Sequence, residues 1–196
     1  HDCARSYVRA MLRHKSAHEP PISKPATFVE VFGGGAICHE ANRSRRNLNL
    51  KGLNAMDLRT AKPNGEPWNF DLKDDRRLAR EMIDKEEPTW IIGSPPCTSF
   101  SLWNTAMNYP KAVAKGKGAE VKAAIDRGRK HLNFVTFLYR KQLFAGRHFL
   151  HEHPMTALSW KDLGIMSLAR HPLVHVVVAD QCQYGLRSPS PDGGTL

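Results

Sequence analysis

The sequence predicts an α/β fold, a Rossmann-like doubly wound and mostly parallel sheet. Three observations carry this expectation. Apolar, β-branched runs alternate with amphipathic helical runs in the order strand, helix, strand, helix, strand. The first run, TFVEVF, ends directly in Gly33, Gly34 and Gly35. Acids or turn residues then stand where each later run stops, as at Asp57 and at Pro95.

Residues 1–26 read as a basic N-terminal extension or linker: RSYVRAMLRH is a short basic amphipathic run, and the prolines of HEPPISKP favour an extended connector. The folded domain is expected over 27–187, with 188–196 a truncated loop. The chain opens on His1 and stops at Leu196 after SPSPDGG, which reads as a piece of a longer polypeptide.

Within the domain, Thr27 to Phe32 forms the first strand, and AICHEANRSRRNL continues as a helix after the glycine turn, with Ile37 and Ala41 one turn apart. Leu53 to Leu58 gives a second strand closing on Asp57. NFDL is another short run ending near an acid, Asp71. DDRRLAREMIDKEE is amphipathic, with Leu78, Met82 and Ile83 inward, and TWIIG (89–93) is the third strand. The segment from Ser94 to about Gly118 ends in KAVAKGKG and reads as a mobile loop. A long helix follows to the stop at Gly146, with Val121, Ile125, Leu132, Val135, Phe137 and Leu138 on its buried face. HFLHEH, a WKDLGIMSLAR helix and the strand HVVVADQ complete the pattern.

Composition narrows the partners. Of 196 residues, 41% are hydrophobic, enough for one core. The 29 basic residues exceed the 19 acids by 10, an excess that attracts polyanions and favours nucleic acid, although a basic surface without a specific partner is the plainer alternative. Cys3, Cys38, Cys97 and Cys182 contain no CxxC pair, which argues against a zinc ribbon or dense disulfides and for a reducing, intracellular compartment. No apolar stretch reaches the roughly 18 residues of a membrane span, so no membrane partner is expected.

In an open parallel sheet, ligands bind beyond the carboxyl ends of the strands. Gly33 to Gly35, Asp57, Asp71, Pro95, Pro96, Cys97, Glu152 and His153 all fall at such ends. Glycines there let a backbone approach a bulky ligand, and an acid at the second strand end accepts from a ribose, so the pair points to a nucleoside-containing cofactor. A tight strand-to-helix turn is the structural alternative. Two prolines stiffen the loop before Cys97 and hold the thiol at a strand terminus. Glu152 in an apolar strand is costly unless paired; either a neighbouring cation or a substrate base supplies its partner. His151 and His153 share a strand face, with Glu152 opposite. The spacing of a zinc deaminase is absent, and no metal site is expected.

The assembled order of motifs resembles the DNA cytosine-5 methyltransferases of the S-adenosylmethionine-dependent superfamily. VEVFGGGAICHEA, with Phe32 and Gly33 to Gly35, is similar to the strand, glycine loop and helix that cradle that cofactor; MDL at Asp57 resembles the ribose-binding acid; and NFDL places Asp71 beside the adenine position. GSPPCTSFS resembles the family's proline-proline-cysteine loop, which implies a cofactor contact at Pro95 and the nucleophile at Cys97. FLHEHP resembles the glutamate-asparagine-valine strand, which implies Glu152 as the catalytic glutamate. DQCQYGLRS is similar to the stretch before the arginine motif, with Arg187 in the arginine place. His153 departs from the family's asparagine, and the full arginine motif is missing after Gly185. The words PPC, EHP and DQC also resemble methyltransferase-like segments of retroelement-type polyproteins. The resemblance therefore implies S-adenosylmethionine as cofactor, DNA as partner, a nuclear location and, as the alternative to catalysis, a silent binding module beside other domains of a polyprotein.

Overall fold

The computed structural model describes residues 24–43 and 49–184. Expectations that fall on the N-terminal extension, on Cys3, on Arg187 and on the loop 188–196 lie outside the described residues.

Four parallel strands, β1 (Ala26–Val31), β2 (Leu50–Met56), β3 (Trp90–Gly93) and β4 (His148–His151), form one sheet in the order β2-β1-β3-β4. Among the described residues, five α-helices accompany it: α1 (Ala36–Arg43), α2 (Lys73–Glu86), α3 (Tyr109–Ala114), α4 (Gly118–Phe144) and α5 (Leu163–Ala169). Alternation of side chains along the strands explains why both faces are covered. Val29, Val31 and Ile91 face Ala79 and Ile83 of α2 and Val135, Leu138 and Tyr139 of α4. Phe28 and Ile92 face Ile37 and Cys38 of α1 on the other side. The fold is α/β with a doubly covered parallel sheet.

Strand order decides where a site can lie. The chain moves from β1 to β2 on one side and then returns to place β3 on the other side of β1. The two connections diverge above β1 and β3, and that divergence opens a crevice at the carboxyl edge. Gly33 to Gly35 follow β1 and Ser94 to Cys97 follow β3, so both loops flank the crevice; Ser94 N–H donates to the Val31 carbonyl (3.1 Å). The amino edge is stapled by buried Gln142, whose Nε2 donates to the carbonyls of Pro88 (2.9 Å) and His148 (3.0 Å).

Several sequence expectations are corrected. The second strand runs Leu50–Met56 rather than Leu53 to Leu58, and NFDL is a turn. The expected mobile loop after Ser94 is mostly helical: a 3-10 turn at Thr98–Phe100, a π turn at Asn104–Asn108, and then α3. Burial orders its start. Phe100 packs with Leu132 and Ile165, Ser99 donates to the Ala124 carbonyl (2.8 Å), and a Cβ at Gly128 would lie 2.9 Å from both residues. Phe137, expected inside, is 43% exposed, while Phe134, Tyr139 and His131 are buried. Each of these lies one turn or less from the expected face, so the stripe is rotated rather than absent. HVVVADQ forms no strand, and Val176, Val177 and Val178 are exposed: a β-branched run becomes a strand only where a sheet edge pairs with it.

Candidate functional site

The glycine turn is built around a buried acid. Phe32 takes a left-handed conformation (φ 59°), an uncommon backbone for an aromatic residue. Its ring is held against Phe70 (4.8 Å), His131 (4.9 Å) and Phe134 (6.5 Å). Beneath the turn, Glu30 is 3% exposed and its Oε1 accepts from the Cys38 N–H (2.7 Å) in the first turn of α1. A Cβ at Gly33 would stand 2.6 Å from Glu30 Oε2, and Gly35 has φ +85°, so both positions require glycine for internal reasons. Glu30 went unnoticed in the sequence reading, although a carboxylate inside TFVEVF is the same signal that singled out Glu152. It also acts on Cys38, whose thiol is pushed up to about 12 by burial and then by the adjacent carboxylate.

Asp57 directly follows β2 as expected, whereas Asp71 lies in a turn rather than at a strand end, and both carry partners. Asp57 Oδ1 accepts from Arg59 Nε (2.8 Å) and from the Arg59 N–H (3.1 Å), and the Arg59 guanidinium lies 3.0 Å from where a Gly34 Cβ would be. Because Arg59 is 76% exposed, the pair is worth little and is readily displaced. Asp71 is flanked from α4 by Arg127 (3.1 Å), Lys130 (3.7 Å) and His131 (3.2 Å). Its Oδ1 and His131 Nε2 are buried but form no hydrogen bond with each other or with another group.

At the carboxyl ends of β3 and β4, the structure brings the two predicted catalytic loops together. Glu152 directly follows β4, and its N–H donates to the Gly93 carbonyl at the tip of β3 (3.1 Å). Four residues beyond Gly93, half-buried Cys97 starts the 3-10 turn, with its carbonyl accepting from the Phe100 N–H (2.9 Å). His153 ties the loops: Nε2 meets the Pro95 carbonyl at 2.7 Å and Nδ1 meets Ser159 Oγ at 2.5 Å. A carbonyl only accepts, so Nε2 carries the proton and Nδ1 accepts from the serine. His153 and Ser159 are 8% and 1% exposed, which makes this link part of the interior. Sequence reasoning registered His153 as a strand-end residue sharing a face with His151 and as a departure from asparagine; nothing local marks it as a bridge to a residue 58 positions away.

Burial sets the electrostatics. Desolvation raises the Glu152 carboxyl above the usual range. His153 is lowered by desolvation, and His151 is pushed down to about 3 by burial and by His153, so both are neutral at physiological pH. The rings of His151 and His153 are 4.7 Å apart, as expected of residues sharing a face. Tyr139 OH meets His151 Nδ1 at 3.2 Å beneath them. Among the described residues, no group of three His, Cys, Asp or Glu side chains is arranged to hold a metal ion, and no helix is long and apolar enough to cross a membrane. No protein-family model, curated protein or solved structure matches the chain.

Proposed function

We propose that this domain transfers a methyl group from S-adenosylmethionine to carbon 5 of cytosine in DNA, with Cys97 as nucleophile and Glu152 as the acid at the ring nitrogen. The observation that carries the reading is the coupling of the Cys97 and Glu152 loops, on adjacent parallel strands beside the switch point, through the bond from His153 to Pro95. Two reactive groups that must grip one ring need such mutual positioning.

The residues at the glycine turn fit the cofactor. Asp71 Oδ1, which accepts no hydrogen bond although His131 and Lys130 stand beside it, offers an acceptor for an amino group, and Asp57 offers a carboxylate behind a displaceable arginine. Phe32, Gly33, Gly34 and Gly35 line the turn between them, and Pro95 opens the facing loop. When bound, the cofactor supplies an electrophilic methyl group.

The chain's own residues do the rest. A base stacked in duplex DNA is out of reach, so the nucleotide is extruded at a cost of a few kcal/mol. The Cys97 thiolate adds to carbon 6 of the ring, forming a carbon–sulfur bond. Electron density moves to the ring nitrogen, where Glu152 donates its proton; the raised Glu152 carboxyl favours the protonated acid that this step consumes. Carbon 5 is thereby nucleophilic and accepts the methyl group. Loss of the carbon 5 proton to a base then expels the thiolate, and the ring nitrogen returns its proton to Glu152, restoring both residues and the aromatic ring.

A second reading has its own support. Asp57 engages Arg59, and Asp71 faces three basic side chains. Acids occupied in this way suit a silent module that retains the fold to hold nucleic acid or a protein partner. Transfer of a labelled methyl group to DNA, together with covalent trapping on 5-fluorocytosine DNA, separates the two. Catalysis predicts both signals, loss of trapping in Cys97→Ala, and a rate reduced about 10²–10⁴-fold in Glu152→Gln. Trapping that persists in Cys97→Ala rejects the mechanism.

A further inference from the structure

Helices α2 and α4 lie side by side on one face of the sheet, and their contact changes character along its length. Near the amino edge they are complementary: Lys141 of α4 pairs with Asp84 of α2. Toward the carboxyl edge they separate around a groove of about 430 Å³, where cation faces cation. Arg76 and Arg80 of α2 stand against Arg129 and Lys130 of α4, and Asp126 is the one acidic residue in the lining. That acid is already engaged, by Lys122 at 2.5 Å and more loosely by Arg129 at 3.9 Å.

Arg76 and Arg80 are held in place by groups that leave their charge uncompensated. Arg76 Nη1 donates to the main-chain carbonyls of Phe70 (2.5 Å) and Asp71 (2.9 Å). Arg80 lies over the Phe137 ring, 5.5 Å from its centre, and makes no ion pair among the described residues. This also accounts for the exposed Phe137: the ring forms the groove wall on which a guanidinium is oriented. Lys130 has Asp71 at 3.7 Å and Arg129 has Asp126 at 3.9 Å, so the uncompensated charge in the groove is that of Arg76 and Arg80, whose mutual repulsion an anion between them converts into attraction.

We infer that this groove binds the phosphodiester backbone of DNA. Arginines present several donors in a fixed geometry suited to phosphate oxygens, whereas the lining holds little that reads a base edge. Its lining comes from the first half of α2 and the middle of α4, which places the groove toward the carboxyl edge of the sheet, the edge that also carries Cys97 and Glu152. The inference rests on DNA as the partner in the proposed function but is independent of methyl transfer.

The test is fluorescence anisotropy with labelled 20-base-pair DNA, and with one of its strands, over 50 to 200 mM salt. It uses the Cys97→Ala protein, so that failure of the chemistry and failure of the groove give different results. Removing two phosphate contacts with Arg80→Gln and Arg129→Gln lowers the salt slope by roughly 2, so that the variant loses about tenfold less affinity than the parent over this fourfold rise in salt. A control carrying Lys51→Gln and Lys85→Gln, with the same charge change elsewhere, keeps the parental slope. Should the double variant fold poorly by circular dichroism, Arg129→Gln alone, at a 64% exposed side chain, produces about half the change in slope. A reduced slope with either form of DNA supports the groove. An unchanged slope with both, or an equal change in the control, overturns it.

Discussion

Replacing His153 by alanine removes the link between the two catalytic loops, and the structure sets the size of the effect. The substitution deletes two buried contacts, at 2.7 Å to the Pro95 carbonyl and at 2.5 Å to Ser159 Oγ. A buried polar group left without a partner costs about 1–3 kcal/mol. Two such groups, with some relief as Ser159 reorients, give an expected destabilisation of about 2–5 kcal/mol, measurable by urea unfolding. Because Pro95 is two residues from Cys97, the loss is also local: iodoacetamide modifies Cys97 faster in the native variant, while exposed Cys182 keeps its rate. His153→Asn, with a shorter amide able to make one of the two bonds, falls between the wild type and His153→Ala in both assays. If His153→Ala unfolds at the wild-type urea concentration and Cys97 alkylates at the wild-type rate, the coupling argument fails.

Three further outcomes follow from the same geometry. His151 titrates at about 3 in the folded chain against 6.5 when unfolded, so its contribution to stability is present above about pH 6.5 and is lost as pH falls toward 3. Between pH 7 and pH 5 it alone removes about 2 kcal/mol, and His151→Phe, measured by unfolding at both values, shows a smaller drop than wild type; an equal drop refutes the assignment. Cys38, raised to about 12, holds roughly one thiolate in ten thousand at pH 8, so native alkylation followed by mass spectrometry finds Cys182 modified well before Cys38, and equal rates contradict its burial. Gly33→Ala forces a methyl group to within 2.6 Å of Glu30 Oε2, lowering stability by about 1–3 kcal/mol; a neutral urea midpoint would show that the turn does not rest on Glu30.

Much of this molecule is legible in short windows of sequence, because strand alternation, helical period and glycine turns are set by neighbours a few residues away. TFVEVF and its three glycines, WIIG before Pro95, and HFLH before Glu152 are the observed strands and strand tips to within a residue or two. Other features depend on what the far side of the fold supplies. Whether HVVVADQ pairs depends on an edge to receive it, and whether Phe137 is buried depends on how far α2 stands from α4. The adjacency of β3 and β4, which puts Cys97 and Glu152 on neighbouring tips, was fixed by strand order and by a histidine reaching 58 residues back along the chain. Local chemistry chose the elements and their ends; only the packing of distant segments, each offering the other its burial and hydrogen-bond partners, decided which ends meet.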